Sequence, residues 1–101
     1  MTRNQLITKL KDNFSIKELV CPHCYNKFKD NAWQFLSTEL LSILYTLRYV
    51  IFNAPITVNN WHNNGSFSQR GLRCNMCQIV KDKKQVYISA HILGMAIDFN
   101  I

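Results

Sequence analysis

Apolar residues recur at helical spacing in three stretches of the chain. Leu6, Ile7 and Leu10 share one face of a predicted helix from Arg3 to Lys11, and Thr2 stands where its hydroxyl can cap the first turn. Trp33, Leu36, Leu40, Ile43, Leu44, Leu47, Val50 and Ile51 keep a helical period and predict the main helix, from about residue 32 to 52. Leu72, Met76, Ile79 and Val80 give Gln69 to Lys81 a helix-like face. Ser15 and Glu18 have the spacing of a capping box around one short turn. Between these stretches the pattern changes. Residues 21 to 30 read as a polar loop, Asn53-Ala54-Pro55 ends the main helix, and Ile56 to Asn60 reads as a strand. Residues 61 to 66 form a loop rich in turn formers, and Asp82-Lys83-Lys84 is a turn. Gln85 to Ala90 and Ala96 to Ile101 read as the last two strands. The expected fold is α+β in one domain: one long helix and short helices packed on a small antiparallel sheet.

Composition narrows the class. Of the 101 residues, 48% are hydrophobic, enough to build a core and too many for a disordered chain. No apolar run approaches the roughly 20 residues of a membrane span, since Ser42, Thr46 and Arg48 interrupt the best candidate. The first residues lead to Lys9, Lys11 and Asp12 instead of an apolar core, so no signal peptide is expected, and synthesis is expected in the cytoplasm. The net charge of +6 has two readings, a solvated surface or attraction to a polyanion.

The chemistry concentrates near the end of the chain. His91 and Asp98 are seven residues apart, and both residue types ligate zinc. On a straight helix that separation means about 10.5 Å along the axis. On a straight strand it means roughly 23 Å and opposite faces. One ion can hold both only if the chain folds back between them, and Gly94 is where a reversal is easiest. The alternative is a histidine hydrogen-bonded to an aspartate across a hairpin.

Ser89, His91, Gly94, Ala96 and Asp98 together form the motif S-x-H-x-x-G-x-A-x-D. This motif resembles that of the zinc D-alanyl-D-alanine carboxypeptidases and related phage endolysin peptidases, which share a fold with the Hedgehog signalling domain. Phe14-Ser15-Ile16-Lys17-Glu18-Leu19-Val20-Cys21 is similar to the F-S-x-K-E-L-x-C entry segment of the phage-type members. The resemblance implies zinc held by His91 and Asp98, Ser89 supporting the ligands, and a substrate that is a peptidoglycan stem peptide or cross-link. It also implies an arginine that holds a substrate carboxylate; Gly71-Leu72-Arg73 resembles part of the family's S-G-Y-R stretch, with Arg70 in the serine position. In the family a W-x-H-type segment beyond the aspartate supplies the third zinc ligand, with an acidic general base near it. Here the chain stops at Ile101, so a domain short of its C-terminal segment, or a degenerate relative, is expected. His62 is the in-chain substitute for the third ligand, and Trp61 a candidate cleft residue; Glu39 and Asp82 read as surface charges. The implied setting is the bacterial cell wall, reached with the help of a phage release system.

Four cysteines form two C-x-x-C pairs, Cys21/Cys24 and Cys74/Cys77. Such pairs signal a four-thiolate zinc site when they lie some 15 to 20 residues apart. Here 49 residues intervene, and a structural zinc, disulfides, or buried and free thiols all remain open. His23 is a further candidate ligand. Three function classes follow: a zinc peptidase, a catalytically inactive cell-wall binder, and a small basic zinc module for nucleic acid. The peptidase is the preferred reading, with a peptidoglycan peptide as partner and nucleic acid not expected.

Overall fold

The computed structural model describes residues 1–74, 76–81, 90–91 and 93–100. Among these the fold is helical. Helix α1 spans Arg3–Lys11, α2 Pro22–Phe28, α3 Thr38–Tyr45 and α4 Gln78–Lys81. One turn of 3-10 helix covers Ile16–Glu18, a longer stretch covers Lys29–Phe35, and another turn covers Trp61–Asn63. No helix among the described residues is long and apolar enough to cross a membrane.

Local chemistry explains the first elements. Thr2 accepts a hydrogen bond from Gln5 N while the Gln5 side chain returns to Thr2 N, so a complete capping box starts α1. Ser15 and Glu18 close the second box as the pattern predicts. The stretch predicted as a polar loop instead contains α2. Pro22 occupies its first turn, where proline's missing N–H costs nothing, and Cys21 Sγ accepts from Cys24 N at 3.4 Å.

The long helix expected over 32–52 is broken. Leu36 is extended, and Ser37 restarts the helix by accepting from Leu40 N at 3.1 Å. Beyond Tyr45 the chain widens into a π-helical segment, Thr46–Ile51. Thr46 Oγ1 donates to Ser42 O at 3.0 Å, a bond that competes with the regular helical ladder. The periodicity therefore describes burial only in part. Trp33, Leu36, Leu40 and Leu44 are buried, whereas Ile43, Val50 and Ile51 are exposed.

The antiparallel sheet expected of an α+β fold is not formed among the described residues. Two isolated bridges stand in its place: a parallel one between Val20 and Leu72, and an antiparallel one between Thr57 and Asn100. Side chains and loops take the hydrogen bonds that strands would need. Asn59, 1% exposed, donates to Val20 O at 2.9 Å and accepts from Arg70 N at 3.0 Å. Asn60 N turns to Phe67 O. The predicted strands 56–60 and 96–101 thus meet, among the described residues, only at the bridge between Thr57 and Asn100. Of the predicted strand 85–90, residues 85–89 lie outside the described residues, and Ala90 sits in a turn. Among the described residues of the predicted helix 69–81, only Gln78–Lys81 is helical, because Leu72 is committed to the bridge with Val20.

One core gathers these pieces. Leu6, Ile7 and Leu10 of α1 pack with Leu40, Leu41 and Leu44 of α3, joined by Trp33, Leu19, Val20, Val58 and Leu72. Arg3 ties the two helices at the surface by donating to Trp33 O, Gln34 O and Thr38 Oγ1. Burial of this apolar surface is the main stabilising term. It also fixes the 19–21 and 70–74 segments side by side, through Cys21 N to Leu72 O and Leu72 N to Leu19 O, both 2.8 Å.

Candidate metal centres

Two clusters of ligand-type side chains border the 70–74 segment. The first is His91 with Asp98. The chain reverses between them at Gly94, whose φ of +70° lies in the left-handed region that glycine adopts freely. A Cβ there would run into the Phe35 carbonyl oxygen. Gly94 N donates to His91 O, Met95 N to Ala90 O, and Gly94 O accepts from Ser37 N at 2.9 Å, so the reversal is docked on the start of α3. The reversal inferred from spacing is therefore present as a tight turn, with no strand beside it among the described residues.

The reversal brings His91 Nε2 to 3.4 Å from Asp98 Oδ2. His91 Nδ1 lies 3.0 Å from Gly71 O, a carbonyl that can only accept, so Nδ1 carries a proton. In a neutral ring Nε2 then points a lone pair at a carboxylate oxygen. That contact is favourable only with a proton or a cation between the two atoms. Two ligands with bonds of about 2 Å on one tetrahedral zinc stand about 3.3 Å apart, so the pair fits a shared ion. An imidazole nitrogen anchored on a backbone carbonyl is also how metal-bound histidines are oriented. Asp98 is 67% exposed on its side chain and fixed through its backbone N, which donates to Arg70 O at 2.7 Å.

The arginines of the resemblance differ in setting. Arg73 is 7% exposed, its N donates to His91 O at 3.4 Å, and its Nε is buried without a hydrogen-bond partner. It lines an apolar groove of about 450 Å³ with Phe28, Phe35, Leu72 and Leu93. Arg70 is engaged elsewhere: it donates to Asn100 Oδ1 at 2.8 Å, and its guanidinium lies 4.1 Å from the Phe67 ring centroid. Ser89 and Asp82 lie outside the described residues. His62 is edge-on to Trp61, its Nδ1 buried without a partner, and it does not join His91 and Asp98 in a three-ligand group. Glu39 is exposed at the start of α3. Trp61 donates to Val20 O at 3.0 Å and packs on Tyr25, which makes it a structural residue.

The second cluster is the two cysteine pairs. Although 49 residues lie between them, the bridge of Val20 to Leu72 sets them face to face. All four thiols are free, and Cys21, Cys24 and Cys77 are buried. Cys21 Sγ is 3.7 Å from Cys74 Sγ, and Cys77 Sγ is 3.6 Å from His23 Nδ1. The ligand atoms of Cys21, His23, Cys74 and Cys77 all lie within 4.8 Å of one another, and these four residues could hold a metal ion such as zinc. His23 thus takes the place that the C-x-x-C pattern gives to Cys24. The signal was faint: a histidine two residues past a cysteine, at the opening of an unpredicted helix. Hydrogen bonds from the Cys24 and Cys77 thiols hold Cys21 well below the usual thiol range. The same contacts, with burial added, push Cys24 and Cys77 up.

No family model, curated protein or solved structure matches this chain.

Proposed function

We propose that the protein is a zinc-dependent peptidase-type protein directed at peptidoglycan stem peptides or cross-links. The observation that carries this reading is the 3.4 Å approach of His91 Nε2 to Asp98 Oδ2 across the Gly94 reversal, with Nδ1 tied to Gly71 O. Its support is the site and the motif around it, not the overall fold, in which no sheet forms among the described residues, unlike the α+β family that the motif resembles. Bound zinc would polarise a scissile carbonyl and lower the pKa of a bound water. The chain's own residues would do the rest. His91 and Asp98 would supply two ligands. Arg73, buried with an unpaired Nε at the wall of an apolar groove, would hold the carboxylate of a short peptide. The bacterial cell wall is the matching setting, and phage-type release the matching delivery.

A second reading is a cell-wall binder that does not cut. What favours it is that, among the described residues, no third histidine, cysteine or carboxylate joins His91 and Asp98. Catalytic zinc sites use three protein ligands, so two alone would hold the ion weakly. Incubation of purified peptidoglycan with the full chain and zinc, beside Asp98→Ala, separates the two. Release of amino termini or D-alanine by the parent chain alone supports the peptidase. Sedimentation with peptidoglycan without release, equal in both proteins, supports the binder. Neither release nor co-sedimentation overturns both.

A further inference from the structure

We propose that Cys21, His23, Cys74 and Cys77 form a structural zinc site that staples the start of α2 to the 70–77 segment. The argument is geometric. With Zn–S bonds of about 2.3 Å, two sulfurs on one tetrahedral zinc stand about 3.8 Å apart; a sulfur and an imidazole nitrogen stand about 3.6 Å apart. Cys21 and Cys74 are at 3.7 Å, and Cys77 and His23 at 3.6 Å, so both pairs already have the spacing of ligands around one ion. All four ligand atoms fall within 4.8 Å of one another, a closed set of the size that structural zinc uses. Three soft sulfurs and one imidazole favour zinc over calcium or magnesium, which take oxygen ligands.

The surrounding backbone suits the task. Cys24 N donates to Cys21 Sγ at 3.4 Å, a contact that offsets thiolate charge and orients the ligand. Cys77 N donates to Cys74 O, closing the turn that presents both of its thiols on one side. Burial of Cys21 and Cys77 excludes water, while exposed His23 leaves an entry path. The ion would close a loop of 53 residues. It would also hold the strip that carries Gly71 and Arg73, both hydrogen-bonded to His91. The staple does not rest on the peptidase reading, since none of its ligands belongs to the His91/Asp98 pair.

The test is titration of the reduced full chain with cobalt(II), then zinc, followed by absorption and by thiol alkylation. The expected result is about one tightly held ion per chain, with sulfur-to-cobalt charge-transfer bands, tetrahedral d–d bands, and zinc protection of the thiols. The bands persist in a His91→Ala/Asp98→Ala chain and in Cys24→Ser, and are lost in Cys77→Ser and His23→Ala. Should Cys77→Ser fail to fold by circular dichroism, the parent-chain bands and alkylation protection decide. Absence of charge-transfer bands on the folded parent chain overturns the proposal. So does their loss in the His91→Ala/Asp98→Ala chain, or a requirement for Cys24 in place of His23.

Discussion

Replacing Gly94 tests the link between backbone and site most directly. Gly94→Ala meets two obstacles. At φ of +70° an alanine is in the left-handed region, at a cost of about 1–2 kcal/mol. Its Cβ also meets the Phe35 carbonyl oxygen, which belongs to a backbone held at the break before α3 and cannot swing aside as a side chain would. Relief requires the reversal to lift, which breaks Ser37 N to Gly94 O and costs about another 0.5–1.5 kcal/mol. The expected loss is about 1.5–3.5 kcal/mol, read as a lower urea midpoint with an unchanged slope. Gly94→Asn separates the two causes. Asparagine tolerates left-handed backbone, so it would recover most of the loss if φ were the whole problem. The contact with Phe35 predicts that it recovers little. An alanine variant within about 0.5 kcal/mol of the parent, or full recovery by asparagine, would refute the claim that this close approach fixes the His91–Asp98 reversal.

Other outcomes follow from particular contacts. Asn59→Leu leaves Arg70 N without its acceptor and Val20 O with Trp61 Nε1 as its remaining partner, and should cost about 1–3 kcal/mol by denaturant titration. Thr2→Ala removes half of the capping box on α1 and should cost about 1 kcal/mol, with a small loss of helical circular dichroism. Leu41→Ala empties a fully buried position between α1 and α3 and should cost about 2–5 kcal/mol in the same assay. Arg73→Met removes a buried unpaired donor, so stability should hold or rise. Affinity for a peptide with a free carboxylate, measured by calorimetry, should fall about tenfold or more. A loss of stability with unchanged affinity would assign Arg73 to the core instead of the groove.

Local signals in the chain carried the first part of this structure. Thr2 with Gln5, and Ser15 with Glu18, satisfy helix-end N–H groups from three residues away, so α1 and the short turn after it needed nothing distant. The reversal at Gly94 was legible because the reach of a metal or a hydrogen bond is short and the His91–Asp98 spacing is long. Periodicity placed Trp33, Leu36, Leu40 and Leu44 in the core but missed Leu41 and included the exposed Ile43, Val50 and Ile51, and it could not show the break at Ser37 or the widening at Thr46. Both are side-chain hydrogen bonds to backbone that leave the apolar spacing unchanged. Pro22 was a readable helix start that composition disguised as loop. Strand pairing was decided by tertiary structure alone. The Asn59 and Trp61 side chains donate to the distant Val20 carbonyl, Asn60 pairs with Phe67 nearby, and isolated bridges stand where a sheet was expected. The joining of the two cysteine pairs was decided in the same way. Spacing along the sequence holds no information about which segments lie side by side; here it is burial of Leu19, Val20 and Leu72 in one core that brings Cys21 to Cys74 and selects His23 as their neighbour.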